Sequence, residues 1–508
     1  MGANKALRKF FARTKREGLM LTYDDVRLRP QYSEVAPTDT LIDLSTKISR
    51  NVRLKMPIVS SPMDTVTTAR MAIAMAEAGG LGIIHRGLTP AVQAREVVRV
   101  KNCLNRRIET PITVRDEMTV EAVLAMRAEK RYLFQTFPVV DSAGKVLGLL
   151  TGNDFDFCAD VSARVTEIMT PLDMLIAGLE GMTPQEAYVL MMQHKRKVLP
   201  LLRSDGSLAQ MYLFSDVKRS LSSTSDHNVD RNGQLVVGAA VGVGQGARER
   251  AALLARARCD VFHIDTAHGD SKNVHETVAF LKAEYPGVDV IAGNVSSGEA
   301  AKRLLHAGVD GVMVGQGPGS ICTTRVIAGI GVPQVSAVYE CVLALEGSGV
   351  PVCADGGINS SGDMVIGLAV GASSLMLGRL LAGTEEAPGE TRSFNGMQVK
   401  DYRGMGSLGA MRDNASSRER YGQSKADVAK LVPEGVEGIV PYRGSVRSIL
   451  DQYIGGIRSG MGYCGARSIE ELSEHAELFR MSAAGLNESH PHDIKITGES
   501  PNYRGRSS

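Results

Sequence analysis

Short apolar runs, each ending in a small or polar residue, recur along the chain. Pro57-Ile58-Val59-Ser60 leads into Ser61, and Leu81-Gly82-Ile83-Ile84 ends at His85. Leu235 to Val241 ends at Gly242, Val261 to Ile264 at Asp265, and Val288 to Gly293 at Asn294. Val312-Met313-Val314 runs into a Gly-rich loop, Val350 to Ala354 ends at Asp355, and Ser374 to Leu377 ends at Gly378. Runs this short and this uniformly apolar predict strands buried on both faces. Helical patterns follow most of them, as at Ala247 to Arg258 and Ser297 to Ala307. Buried strands alternating with helices predict a parallel sheet. Eight such units are the count of a closed (β/α)8 TIM barrel, an α/β fold whose active site gathers where the strands end. Ser61, Asp265, Asn294, Cys322, Asp355 and Gly378 then become the residues to watch. An open, doubly wound sheet is the rival architecture.

The pattern breaks between the second and third strands, where residues 102–232 form an insert. The expected organisation is residues 1–101 as the first part of the barrel, 102–232 as the insert and 233–508 as the second part, with 1–18 a basic N-terminal arm. Within the insert, Met118-Thr119-Val120-Glu121-Ala122 is echoed by Met182 to Ala187, Phe137-Pro138-Val139-Val140 by Leu199-Pro200-Leu201-Leu202, and Gly148 to Asp154 by Tyr212 to Asp216. Such self-similarity marks a tandem module. It resembles a pair of CBS modules, which implies binding of adenine or guanine nucleotides. The family pattern of a hydroxyl residue three before an Asp is met by Thr151 and Asp154. In the second copy Leu213 replaces the hydroxyl before Asp216. The alternative is a spacer that binds nothing.

Composition narrows the function. A net charge of +2 over 508 residues gives no reason to expect nucleic acid or an anionic membrane as partner. No apolar stretch is long enough to span a bilayer. The seven cysteines contain no CxxC pair, which argues against a zinc site or a disulfide framework. Free thiols fit a reducing compartment, and a cytoplasmic location is expected. Lys5, Arg8, Lys9, Arg13, Lys15 and Arg16 make the N-terminus basic. An exposed helix or arm is the expected reading, over a transit peptide that would be richer in Ser. Gly2 suits myristoylation, but Ala6 stands where that signal needs Ser or Thr.

Candidate chemistry concentrates in Gly315-Gln316-Gly317-Pro318-Gly319-Ser320-Ile321-Cys322-Thr323-Thr324-Arg325. Its glycines let the backbone bend and approach a ligand. Cys322 then sits on a loop at a strand end, where scaffolds place function, rather than inside an apolar run, where a packing cysteine belongs. Gly242-Val243-Gly244-Gln245-Gly246-Ala247, with Asp260 downstream, fits the outline of a dinucleotide fingerprint, but a barrel strand can end the same way. Asp355-Gly356-Gly357-Ile358 and Gly378-Arg379 follow the seventh and eighth strands, the usual phosphate loops of a barrel. The long polar stretch from Tyr402 through Arg420-Tyr421 to Gly438 has the length and character of a lid.

Several ordered motifs together resemble the inosine-5′-monophosphate dehydrogenase family over nearly the whole chain. They are Leu21 to Val26, Ser60 to Asp64, the Cys322 loop, Asp355 to Ile358, Tyr402 to Ser407, Ser459 to Gly465 and Glu488 to Asp493. The last looks like the bacterial-type enzyme. The resemblance implies that Cys322 attacks C2 of inosine monophosphate (IMP), that hydride passes to NAD, and that a flap carrying Arg420 and Tyr421 closes to activate water on a thioimidate, with Thr324 and Glu434 assisting. It implies Ser61, Met63, Ser320, Asp355, Gly357, Gly378, Arg379, Tyr402, Gly404, Met405, Gly406 and Glu434 as nucleotide contacts. Asp265, Asn294, Gly315 and Gly317 would serve the nicotinamide cofactor. Potassium (K+) would be held by Gly317, Gly319 and Cys322, with Glu488, Ser489 and His490 of a neighbouring subunit. The resemblance therefore implies a homotetramer and leaves stacking into octamers open.

The sister guanosine-5′-monophosphate (GMP) reductase family shares the barrel and the cysteine, but places a catalytic Glu where this chain has Leu408. Arg420-Tyr421 also stands where the dehydrogenase has its dyad. A non-catalytic nucleotide sensor and a flavin-dependent barrel oxidoreductase are more distant alternatives. Gln316 and Arg379 depart from the usual family residues.

Overall fold

Eight parallel strands close into a ring in the computed structural model, with the strand order running in sequence around the barrel. They are β1 Ile58–Ser60, β2 Leu81–Ile84, β3 Gly238–Val241, β4 Val261–Asp265, β5 Asp289–Val295, β6 Gly311–Val314, β7 Val352–Asp355 and β8 Ser374–Leu377. β8 pairs in parallel with β1, and that pairing seals the ring and excludes the open sheet. The structure describes residues 4–38, 41–104, 108, 110–130, 132, 134–221, 225–494, 496–497 and 502–503. Among them no helix is long and apolar enough to cross a membrane.

Alternation along each strand sends every second side chain into the barrel. Val59, Leu81, Ile83, Ala240, Val261, Ile291, Met313, Cys353 and Met376 form that interior, closed below by Ile48 and Leu54. The Cys353 thiol is wholly buried there, and burial pushes its pKa well above the ordinary range. It is a packing cysteine.

Two strands start two or more residues later than their apolar runs predict. At β3, the Val237 N–H donates to the Asp260 carboxylate at 2.8 Å, so the ladder begins only at Gly238. At β7, Pro351 has no N–H to give and β7 begins at Val352. Asp260 lies just before β4, at the end of the barrel opposite the strand C-termini. It bonds the Val237 N–H and Lys101, which removes it from any ribose site and ends the dinucleotide-fingerprint reading.

The N-terminal segment is a docked helix, Lys5–Arg16, rather than an exposed arm. The Asn4 side chain caps it, and Leu7, Phe11 and Thr14 form a buried stripe. Phe11 stacks on Tyr339 with ring centroids 3.8 Å apart, while Arg8 and Lys15 pair with Glu346 and Glu340. The basic residues hid an apolar face with helical spacing. Gly2 lies outside the described residues.

The chain divides into Met1–Asn102 with Asp226–Ser508 as one unit, and Cys103–Ser225 as a second. The second unit holds a four-stranded and a three-stranded sheet. Each has its own apolar cluster, one around Phe137, Val139 and Leu150, the other around Leu199, Leu201 and Tyr212. Thr151 donates to Asp154 at 2.8 Å in a capping box that opens the helix Gly152–Asp156.

Lys101 ends the helix Pro90–Lys101 and is only 2% exposed. Its ammonium lies 3.0 Å from Asp230 and 2.5 Å from Asp260. Replacing it with methionine strips the cation from both carboxylates. Lys101→Met is expected to cost on the order of 3–5 kcal/mol, read as a lowered denaturation midpoint of the barrel unit.

Candidate active site

At the C-terminal mouth of the barrel, inward positions two residues beyond the apolar core become polar. Ser61 follows Val59, Asp265 follows His263, Asp355 follows Cys353 and Gly378 follows Met376. Together with Asn294 and Gly315, these residues line a cavity of about 270 Å³. The same cavity takes in Met63, Gly317, Gly319, Ser320, Cys322, Thr324, Gly357, Arg379, Tyr402, Met405, Arg420 and Tyr421. Gly404, Gly406 and Glu434 do not line it. They act through the backbone beside it: the Glu434 N–H donates to Gly406 O at 2.9 Å, and Gly404 N–H to Val436 O at 3.0 Å.

The cysteine loop is held in shape from both sides. Gly315 has φ +150°, and a Cβ there would strike the Asp355 carbonyl at 2.0 Å, so only glycine lets β6 turn this close to β7. Gln334 ties the same two strand ends by donating to Val314 O at 2.8 Å and Asp355 O at 3.1 Å. On the other side, Val436 N–H donates to Ile321 O and Thr323 N–H to Glu434 O, at 2.9 and 3.1 Å. The Cys322 Sγ lies 3.2 Å from Thr324 Oγ1 and donates to it. A part-exposed thiol, a neighbouring hydroxyl and a cavity are the parts of a nucleophilic site.

The segment after β8 is more ordered than a bare lid. The strands Arg392–Phe394, Met397–Arg403 and Glu437–Pro441 form an antiparallel sheet, and the helices Leu408–Asp413 and Ala415–Arg420 lie between the last two. Arg403 anchors the sheet to the barrel through Asp64 at 2.7 Å. Arg420 reaches into the cavity and forms an ion pair with Asp265, and the Arg420 carbonyl accepts from the Ala267 N–H at 3.2 Å. Burial holds the Arg420 pKa below the ordinary arginine value; Tyr421 opposes this and the nearby Arg86 cation adds to it. Burial raises the Tyr421 hydroxyl in turn. A guanidinium whose cationic form is disfavoured can hand over a proton more readily than an exposed one.

On the opposite wall, Asn294 donates to Gly315 O at 2.8 Å and to Asp355 Oδ2 at 2.7 Å. Its Oδ1 is buried with no partner among the described residues, an acceptor free for a ligand donor. Arg379 bonds Asn359 at 2.9 Å across the loops after β7 and β8, and Tyr402 packs its hydroxyl against Met63 Sδ at 3.7 Å. Carbonyl oxygens are hard ligands of the kind a monovalent cation takes, and in this loop the Gly319 carbonyl accepts from the Cys322 N–H at 3.0 Å. The described hydrogen bonds and ion pairs join none of Glu488, Ser489 and His490 to that loop within one chain. Ser489 bonds Gly485, and His490 contacts Tyr503.

Sequence reading missed Arg86, Glu419 and His263 at this mouth. Arg86 is 6% exposed and pairs with Glu419, the residue before Arg420, at 3.2 Å. His263 is 1% exposed, and neither ring nitrogen has a partner among the described residues. Burial, with Arg420 and Arg86 beside it, pushes its pKa down to about 3, so the ring is neutral. Arg86 could have been found, because it directly follows the strand-ending His85.

The IMP dehydrogenase / GMP reductase domain model matches residues 20–492. The inosine-5′-monophosphate dehydrogenase of Aquifex aeolicus is 49% identical over 95% of this chain and 97% of its own length. That of Halalkalibacterium halodurans is 46% identical over 96% and 98%. Among solved structures, a cysteine-to-alanine variant of GMP reductase from Trypanosoma brucei in complex with guanosine 5′-monophosphate superposes with a TM-score of 0.80, at 40% identity over 94% of this chain and 98% of that one.

Asp355 supplies a pH test of the cavity. Burial pushes its carboxyl up to about 6, against the pull of the Asn294 amide. A carboxyl raised in the fold takes up a proton near pH 6 that the unfolded chain takes up only near pH 4. Its ionised form therefore costs stability above about pH 6, and the cost disappears as the pH falls toward 4. Asp355→Asn is expected to be more stable than the parent at pH 8, on the order of 1–3 kcal/mol. The difference should close near pH 4, as followed by denaturant titration at each pH.

Proposed function

The chain belongs to the IMP dehydrogenase / GMP reductase family, and on that premise we propose that it is an NAD-dependent IMP dehydrogenase, converting inosine 5′-monophosphate to xanthosine 5′-monophosphate in guanine nucleotide synthesis. The observation that carries this reading is the meeting of Cys322, Thr324, Arg420 and Tyr421 in one cavity. A covalent intermediate on sulfur and a group to activate water for its hydrolysis are what this oxidation requires.

Cys322 Sγ bonds to C2 of the hypoxanthine ring. NAD supplies the acceptor for the C2 hydride, and the carbon is left as a thioimidate on sulfur. Arg420 then takes a proton from water, which attacks C2. The carbon–sulfur bond breaks, xanthosine monophosphate leaves and the thiol is restored. Thr324 orients that water and Glu434 offers a second proton route. Asp355 receives the ribose hydroxyls, as an acceptor-only carboxylate suits paired O–H donors. Ser61 and Met63 flank the nucleotide, Met405 faces its base, and Ser320, Gly357, Gly378, Arg379 and Tyr402 form the phosphate side, with Gly404, Gly406 and Glu434 supporting the nucleotide site from beside the cavity.

Asp265, Asn294, Gly315 and Gly317 hold the nicotinamide half of the cofactor. Asn294 supports this through its unpartnered buried Oδ1. Asp265 also carries the Arg420 ion pair, so cofactor and flap compete for one carboxylate and hydride transfer must precede hydrolysis. Carbonyls of Gly317, Gly319 and Cys322 hold potassium, completed by Glu488, Ser489 and His490 of a neighbouring subunit in a homotetramer. Residues 102–232 act as a tandem CBS module, with its nucleotide site at Thr151 and Asp154.

GMP reductase is the second reading, favoured by the likeness to the Trypanosoma brucei structure. Leu408, with no titratable group, stands against it at the position where the reductase uses a carboxylate.

Enzyme mixed with IMP, NAD and potassium should produce reduced cofactor without ammonia. Oxidation of NADPH with GMP and ammonia release would establish the reductase instead. Cys322→Ala should lose turnover by more than about a thousandfold while keeping nucleotide affinity. Arg420→Ala should still transfer hydride once and then stall as an adduct on the Cys322 peptide, detected by mass spectrometry of the quenched enzyme.

A further inference from the structure

The Gly242-Val243 turn, excluded as a dinucleotide fingerprint, has another occupant. Glu419, in the flap helix Ala415–Arg420, points its carboxylate into that turn. Its Oε1 accepts from the Val243 N–H at 2.9 Å and lies 3.2 Å from the Arg86 guanidinium. A Cβ on Gly242 would come within 2.0 Å of the same oxygen and 2.7 Å of Arg86 Nη1. Arg86 also donates from its other terminal nitrogen to the Asp265 carbonyl at 3.3 Å. The guanidinium therefore touches both the flap carboxylate and the residue that receives Arg420.

Two cations and two carboxylates meet at this socket. Arg86 and Arg420 face Glu419 and Asp265, with His263 neutral beside them and the half-buried Arg250 a further cation near Arg86 and Glu419. Arg250 is satisfied separately by Gln93 at 2.7 Å and the Leu88 carbonyl at 3.0 Å. When the flap withdraws, it removes one negative and one positive side chain together. The barrel keeps Arg86 and Asp265 side by side, so the net charge at the mouth is the same with the flap in or out, and closure adds no unpaired buried charge, whose cost would be large.

We propose that Arg86 and the Gly242-Val243 turn form a carboxylate socket for Glu419, and that Glu419 is a positioning residue: seating it sets Arg420 on Asp265 for the hydrolytic step. This inference rests on the IMP dehydrogenase reading. A seated Glu419 favours the closed flap and has no part in hydride transfer, which takes place with the flap withdrawn.

Stopped-flow mixing of the full-length enzyme with IMP and NAD separates the two steps. In Glu419→Gln and Gly242→Ala the first-turnover burst of reduced cofactor should stay within about twofold of the parent. Steady-state turnover should drop about tenfold or more, the loss of one buried charge-assisted contact. Adduct should accumulate on Cys322, and excess NAD should inhibit at lower concentration because it competes with a weakened flap. Glu419→Asp, which keeps the charge, should recover part of the turnover. Melting temperatures close to the parent's would accompany this pattern. Unchanged turnover in both variants, or a burst that falls in step with turnover, overturns the socket while leaving the activity intact. Absence of any reduced cofactor from the parent enzyme overturns the activity, and the socket with it.

Discussion

Closure of the eight-stranded ring is the constraint from which the site follows. A closed parallel barrel has one inward direction, and alternate residues on every strand must use it. The interior is full of apolar side chains up to the level of Val59, Cys353 and Met376. One step further along each strand there is no partner left to pack against. Ser61, Asp355 and Gly378 at that level meet around a shared space. The polar mouth thus results from where the core ends, and its rigidity is the rigidity of the ring.

What the ring cannot supply is a way to run two incompatible steps in one cavity. Hydride transfer needs the cofactor's half of the space, and hydrolysis needs a base and a water there. The chain meets this with a segment after β8 that is anchored at both ends. Arg403 holds one end to Asp64, and backbone bonds from residues 434–436 hold the other to the cysteine loop. Under the proposed function, the stretch between is the part that exchanges with the cofactor. The Cys322 loop is bonded to the flap's return strand, so nucleophile and flap share one scaffold.

Much of this was legible in the sequence because it rests on local patterns. The eight apolar runs are real barrel strands, and their terminal residues do meet. The count of runs, with helices between them, was enough for the fold. Where the reading slipped, a non-local partner decided the outcome. Val237 leaves the strand because Asp260 takes its N–H. The N-terminal helix docks because Tyr339, far along the chain, offers a ring to Phe11. Gly242-Val243-Gly244 suggested a ligand loop, and the geometry gives it a side chain of the same protein instead. His263 carries no motif. Its burial beside Arg420 and Arg86 is a property of the assembled mouth, invisible along a single strand.

Buried charge explains why the flap's chemistry resides in a Glu-Arg sequence rather than in an arginine alone. A lone arginine entering a closed, dry mouth beside Arg86 would set two cations against each other with only Asp265 between them. The closed state would then be disfavoured in the very conformation hydrolysis needs. Glu419 cancels that repulsion and arrives with the arginine, because the two are adjacent in the chain. Pairing it with Arg86 leaves Asp265 to Arg420, while burial still holds the Arg420 guanidinium below its ordinary pKa. Glu419 is thereby engaged one residue away on a different cation, and Asp265 is the carboxylate that receives Arg420. On the proposed mechanism, a flap built this way closes without changing the net charge at the mouth.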